Sequence, residues 1–201
     1  GSEMFKGKCF YQKVFDITDD LMEDNIFLEI GAASLVSEVY INGKLAHVND
    51  CPYSMYRIDM KPYIISGENL ISIMVDNSQQ KYVYPIMADF SFYGGIYRDV
   101  SLLISKGVHF DILDGGRDGI YLKQVKLEDE TYRLEISGAI CSNKIISNAQ
   151  VVFSVKDRDG ICVQEKTIEL KIDDKTEFKE SIEIEKPHLW QGVEDPYLYE
   201  V

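Results

Sequence analysis

Glu38-Val39-Tyr40-Ile41-Asn42-Gly43-Lys44 carries the strongest local signal in the chain. Asn-Gly directly after a strand-like run is a two-residue hairpin signal, because both positions tolerate positive φ. A tight hairpin is therefore expected at Asn42-Gly43. Outward from it, short runs rich in Val, Ile, Phe and Tyr recur between Gly, Asn and Asp clusters, which is the grammar of an antiparallel all-β chain. Strands are expected over 9–16, 25–30, 37–41, 54–59, 70–76 and 100–105.

The second half keeps the grammar with a different rhythm. Strands are expected over 132–140, 149–156, 162–172 and 176–184, with turns at 157–160 and 173–174. Alternation in Thr131-Tyr132-Arg133-Leu134-Glu135-Ile136-Ser137 predicts that Tyr132, Leu134 and Ile136 face inward. About seven strands in some ninety residues suit an immunoglobulin-like sandwich. An apolar strand gives way to polar and glycine residues at Ser105-Lys106-Gly107, so two domains are expected, 1–105 and 106–201.

The 201 residues are enough for two cores. A net charge of −13 repels phosphate backbones and anionic surfaces, which argues against nucleic-acid and membrane partners. No window approaches the roughly 18 consecutive apolar residues of a membrane helix. Gly1-Ser2-Glu3 carries neither a basic segment nor an apolar core, which favours a cytoplasmic placement and leaves periplasm or secretion open. Cys9, Cys51, Cys141 and Cys162 show no C-x-x-C spacing and are expected to be reduced, buried small hydrophobes.

Catalytic motifs are scarce. His47, His109 and His188 are far apart and lack ligand spacing, so no metal site is expected. Asp157-Arg158-Asp159-Gly160 has Lys166 where a calcium loop would need Glu, and reads as a hairpin turn. Asp114-Gly115-Gly116-Arg117-Asp118-Gly119 reads as a turn as well. There is no G-x-S-x-G, P-loop or dinucleotide fingerprint. On the residues alone, a binding module or scaffold fits this two-domain β protein as well as any other class.

A series of phrases, in order, resembles the front end of glycoside hydrolase family 2. Phe10-Tyr11-Gln12-Lys13-Val14-Phe15 is similar to the family's W-Y-R-K-x-F strand, and Glu38 to Lys44 to its E-V-Y-V-N-G-x hairpin. Tyr56-Arg57-Ile58-Asp59, Gly67-Glu68-Asn69-Leu70-Ile71-Ser72-Ile73 and Asp76-Asn77-Ser78 follow. Asp89-Phe90-Ser91-Phe92-Tyr93-Gly94-Gly95-Ile96-Tyr97-Arg98-Asp99-Val100 resembles the family's G-G-I-Y-R-x-V element closely. Leu189-Trp190, with Asp195-Pro196-Tyr197-Leu198-Tyr199, resembles the last strand of its immunoglobulin-like domain.

The resemblance implies a jelly-roll-like (galactose-binding-like) β-sandwich followed by the immunoglobulin-like one, placed ahead of a catalytic (β/α)₈ barrel that this sequence does not include. The family's opening phrase also has no counterpart, and an exposed strand edge would then promote pairing into a homo-oligomer. Family members are retaining enzymes whose two carboxylates, roughly 5 to 5.5 Å apart, lie in the barrel. No catalytic residue is therefore expected here, and no cofactor, with any alkali or magnesium ion bound in the barrel. The implied role is the non-catalytic N-terminal part of a β-galactosidase, supporting the barrel's pocket around a β-linked saccharide.

Three residues are singled out by the resemblance. Asp89 stands where an acidic residue of the first domain reaches the active site and contacts sugar hydroxyls or an alkali cation, against the plainer alternative of a loop cap. Arg98 is expected to be structural, pairing with a carboxylate near the domain junction. Trp190 is expected to pack at an interdomain contact rather than to stack a sugar. The rival class is a free-standing carbohydrate-binding or adhesion module using Tyr82, Tyr84, Phe92 or Tyr93. A structural spacer mediating oligomer contacts is a third.

Overall fold

The computed structural model describes residues 5–78, 80–83 and 93–201. They fall into two compact units, residues 1–107 with 112–117, and residues 108–111 with 118–201. Asp89, with Tyr84 and Phe92, lies outside the described residues.

The first unit holds β1 (Lys8–Ile17), β2 (Asn25–Ile30), β3 (Ala33–Ser34), β4 (Val36–Ile41), β5 (Lys44–Asn49), β6 (Tyr56–Asp59), β7 (Gly67–Asp76), β8 (Gly95–Ile96) and β9 (Val100–Ser105), with one 3₁₀ turn at Leu21–Glu23. One sheet runs β1-β7-β4-β5, a second runs β6-β2-β9, and β3 pairs with β8. Pairing is antiparallel throughout, and register puts Val39 opposite Ile73 and Ile41 opposite Ile71. These residues share one face and meet Ile26, Leu28 and Ile30 of β2 in a single core. Burying each such side chain contributes about 1.5–3 kcal/mol. Ser37 of β4 and Tyr56 of β6 exchange a buried hydrogen bond of 2.7 Å that ties the two sheets together.

The Asn42-Gly43 hairpin forms between β4 and β5, with φ of 51° and 77°. Asn42 does more than turn the chain. Its amide donates to the Tyr63 carbonyl at 3.0 Å and to Asn69 Oδ1 at 2.8 Å, while its own Oδ1 accepts from the Leu70 N–H at 2.9 Å.

Arg57, with only 7% of its side chain exposed, bonds Glu29 across the β2–β6 ladder at 2.7 Å. The same guanidinium donates to the carbonyls of Ile112 at 3.1 Å and Arg117 at 2.6 Å. It thereby holds the glycine-rich segment 112–117 on the first unit. At Gly116, φ is 71° and a Cβ would meet the Met55 carbonyl at 2.5 Å, so glycine is required where the two backbones touch.

The second unit holds β10 (Val108–Phe110), β11 (Ile120–Lys126), β12 (Thr131–Ser142), β13 (Ile146–Lys156), β14 (Cys162–Ile172) and β15 (Lys175–Glu185). β12 is the hub, flanked by β15 on one side and by β10 and β11 on the other, while β13 and β14 form a hairpin. Leu134, Ile136, Ile140, Phe153, Val155, Phe178 and Ile182 make its core. The chain is thus all-β, one sandwich followed by another. At the β13–β14 turn, Asp157 Oδ1 accepts from the N–H groups of Asp159 and Ile161, both at 2.9 Å, which closes the hairpin as a plain Asx turn.

The structure corrects several expectations. β6 begins at Tyr56 rather than 54, because the chain turns from Cys51 to Ser54 first. The second unit has six strands rather than about seven; β10 and β11 lie beside a glycine-rich run that masks their periodicity. Tyr132 is only half-buried, since it sits near the end of β12 with Lys126 6.0 Å over its ring. The cysteines are free, yet none is fully buried. Cys51 lies in a turn and Cys162 opens β14 directly after one, so both are exposed.

Candidate functional site

The phrase Gly94 to Asp99 turns a corner at one end of the first unit. Gly95 and Ile96 of β8 pair with Ser34 and Ala33 of β3, and the Gly31 N–H donates to the Asp99 carbonyl at 2.9 Å. Both glycines are there for close approach. A Cβ on Gly94 would run into the Asn77 amide. Gly95 has φ of 77° and lies against the Tyr11 hydroxyl. Asn77 in turn holds the start of the chain, because its Oδ1 accepts from the Gly7 N–H at 2.7 Å and its Nδ2 donates to the Phe5 carbonyl at 2.8 Å. These elements line a groove of about 360 Å³ that includes Cys9, Tyr11, Ser34, Leu35, Asn77 and Tyr93.

Beyond the glycines the corner is aromatic. Tyr93 is 67% exposed and stacks on Tyr97 at 5.9 Å between ring centroids. Tyr97 donates its hydroxyl to the Pro52 carbonyl at 2.6 Å, and burial raises its phenol pKa, so it stays a donor. Arg98 is exposed. Its guanidinium donates to the Tyr53 carbonyl at 3.1 Å and lies 5.7 Å from the Tyr97 ring. Among the described residues its hydrogen-bond partner is a backbone oxygen 45 residues away, which no local pattern announces. The Tyr97 hydroxyl is thus committed to the protein, and what the corner can offer a polar ligand is the exposed Tyr93 ring beside the exposed Arg98 guanidinium.

Asp76, next to Asn77, has a lowered pKa. Burial works to raise it, but hydrogen bonds from the Ser78 hydroxyl at 2.6 Å and the Ser78 N–H at 2.9 Å, with the charge of Lys8 opposite, outweigh burial. A carboxyl lowered in the folded state stabilises above its unfolded pKa, and that contribution is lost as pH falls through the folded one. Asp76→Asn is therefore expected to cost stability at neutral pH and much less in acid. Urea midpoints at pH 7 and pH 3 check this, and an equal loss at both would count against it.

In the second unit, Trp190 is 62% exposed. It borders a cavity of about 220 Å³ with Leu122, Leu189, Tyr197 and Leu198. His188 and Tyr197 stack there at 4.0 Å, Arg158 lies 4.8 Å over the Tyr197 ring, and His188 Nε2 sits 2.5 Å from Asp195. Among the described residues no group of three His, Cys, Asp or Glu side chains is placed to hold a metal ion.

Against known families, residues 3–106 match the model described as the sugar binding domain of glycosyl hydrolases family 2. The chain belongs to glycoside hydrolase family 2. Similar proteins include a β-glucuronidase of Bacteroides fragilis, 28% identical over 95% of this chain and 28% of that protein. A β-galactosidase of Thermoanaerobacter pseudethanolicus is 27% identical over 99% of this chain and 26% of that one. Among solved structures, β-glucuronidase 2 of Bacteroides uniformis superposes with a TM-score of 0.85 at 29% identity, over 97% of this chain and 24% of that one. The chain thus spans about a quarter of the length of these family 2 relatives. Asn77 and Tyr11, which shape the corner around the family's glycine pair, were not singled out by sequence. Only the phrases around them were.

Proposed function

We propose that this chain is the non-catalytic N-terminal part of a retaining family 2 glycoside hydrolase, shaping from outside the active site of a (β/α)₈ barrel in the same polypeptide. The observation that carries the proposal is the family match over residues 3–106, joined to the glycine corner at Gly94 and Gly95. The corner anchors the chain immediately after the segment that holds Asp89. In this proposal Asp89 accepts hydrogen bonds from sugar hydroxyls in the assembled enzyme, a task a carboxylate suits because it accepts from two donors at once. In this proposal Arg98 and Trp190 keep structural roles, Arg98 bracing the corner and Trp190 packing at an interdomain contact.

The substrate proposed is a terminal β-galactoside. A β-glucuronide is the second reading, supported by relatives that carry that name alongside the galactosidases. The full polypeptide should hydrolyse a chromogenic β-galactoside, whereas this chain alone should not. Faster turnover of the glucuronide would transfer the proposal to the second reading. In the full polypeptide, Asp89→Asn should lower kcat/KM by about 10- to 100-fold through loss of charge-assisted hydrogen bonds. Unchanged kinetics would remove Asp89 from the site. Measurable affinity of the isolated chain for sugars would favour a free-standing binding module instead.

A further inference from the structure

β1 is the outer strand of the sheet β1-β7-β4-β5, paired on one side only among the described residues. It is ten residues long, and its outward-facing side chains are exposed, Phe10 at 71% and Val14 at 51%. An edge of this length and apolarity is a template for another strand. We propose that β1 docks antiparallel against β1 of a second copy of this chain, about a two-fold axis at Gln12, joining two four-stranded sheets into one.

The residues of β1 choose the partner. A two-fold axis perpendicular to the sheet keeps both cores on one side only if it passes through a residue, because a one-residue slip would turn every side chain to the other face. Centred on Gln12, each Lys8 meets the partner's Asp16, each Phe10 meets the partner's Val14, and each Tyr11 meets the partner's Lys13. Every pair occurs twice. The apolar row already formed on this face by Phe10 opposite Met74 and Val14 opposite Leu70 then continues across the seam.

Charge within the chain points the same way. Asp16 lies directly opposite Glu68 of β7, a like-charge pair that destabilises the ladder. Lys8 of a second copy would neutralise it. Neighbouring registers fail on the same criteria. Moving the axis to Lys13 sets the two Lys13 side chains against each other, and moving it to Tyr11 places Lys8 against Val14. Lysines on an edge normally deter pairing. Here the Gln12 register gives Lys8 a carboxylate and Lys13 an aromatic ring.

Sedimentation of the chain should show a species of twice 23.0 kDa whose population falls on dilution and with added salt. Lys8→Asp and Asp16→Lys should each weaken the dimer by about tenfold or more, and the double swap should restore it to within about threefold. Both positions are exposed, so the far-UV spectrum should stay that of the folded chain. The thermal midpoint should fall for Lys8→Asp, which faces Asp76, and rise for Asp16→Lys, which faces Glu68, so dimer loss in both variants would not track stability. As a second probe, Gln12→Cys should give a disulfide-linked dimer on oxidation that the unsubstituted chain does not, since the paired Cα atoms would lie roughly 4.5–5.5 Å apart. A chain that stays monomeric through the accessible concentration range would overturn the proposal. So would a dimer indifferent to both single reversals and to the cross-link.

Discussion

Asn69→Ala is expected to destabilise the first unit by about 3–4 kcal/mol, the largest single-residue loss foreseen outside the apolar core. Asn69 is 1% exposed, and every hydrogen-bonding position of its amide is used inside the protein. Its Oδ1 accepts from the Ile65 N–H at 2.9 Å and from Asn42 at 2.8 Å. Its Nδ2 donates to the carbonyls of Ile65 at 2.7 Å and Gly67 at 2.8 Å. Alanine would strip partners from three backbone groups and from the Asn42 amide together. A buried polar group left unpaired costs about 1–3 kcal/mol, and water entering the space would recover part of the sum. The urea midpoint, followed by far-UV circular dichroism, should fall by about 1–3 M at a typical urea slope. A loss below about 1 kcal/mol would mean that Asn69 fills space and little more.

The loop held by Asn69 bears on what a sequence can disclose. Asn42-Gly43 was readable as a turn because its signal is local, the tolerance of both residues for positive φ. That Asn42 also reaches Tyr63, Asn69 and Leu70 was not, since those partners lie 21 to 28 residues away and an Asn carries no sign of which distant backbone it will meet. Strand positions followed the same division. The β-branched runs of β2, β9 and β14 stand where alternation and composition put them. β11 hid behind Gly115, Gly116 and Gly119, and Cys51 was read as a buried apolar residue although Pro52 and Ser54 turn the chain there.

The glycine corner divides in the same way. Its glycine pair could be read as a place of close backbone approach, because that is a property of glycine. The groups that come close, Asn77 to Gly94 and Tyr11 to Gly95, could not. Arg98 shows the limit most directly. Among the described residues the fold sets Arg98 against the Tyr53 carbonyl and the Tyr97 ring, contacts that a lone arginine in a β-rich chain does not announce. The Arg57 clip on the carbonyls of Ile112 and Arg117 is similar, a bond across 55 to 60 residues that depends on the topology.

Gly95 allows that corner to be tested energetically, and Gly95→Ala should cost about 2–3 kcal/mol. Two effects contribute. At φ of 77° an alanine adopts a conformation that L residues rarely take, a strain of about 1–2 kcal/mol. Its methyl group would also overlap the Tyr11 hydroxyl, adding about 1–2 kcal/mol of overpacking that movement of the half-exposed Tyr11 ring relieves only in part. The next atom of that ring, Cζ, would lie at 3.4 Å, an ordinary contact. In a Tyr11→Phe background the overlap therefore vanishes and only the backbone strain of about 1–2 kcal/mol should remain. A double-mutant cycle on urea midpoints should then return a favourable coupling of about 1–2 kcal/mol between the two substitutions. Strict additivity would show that Tyr11 swings clear at no cost and that glycine is held at position 95 by its φ alone.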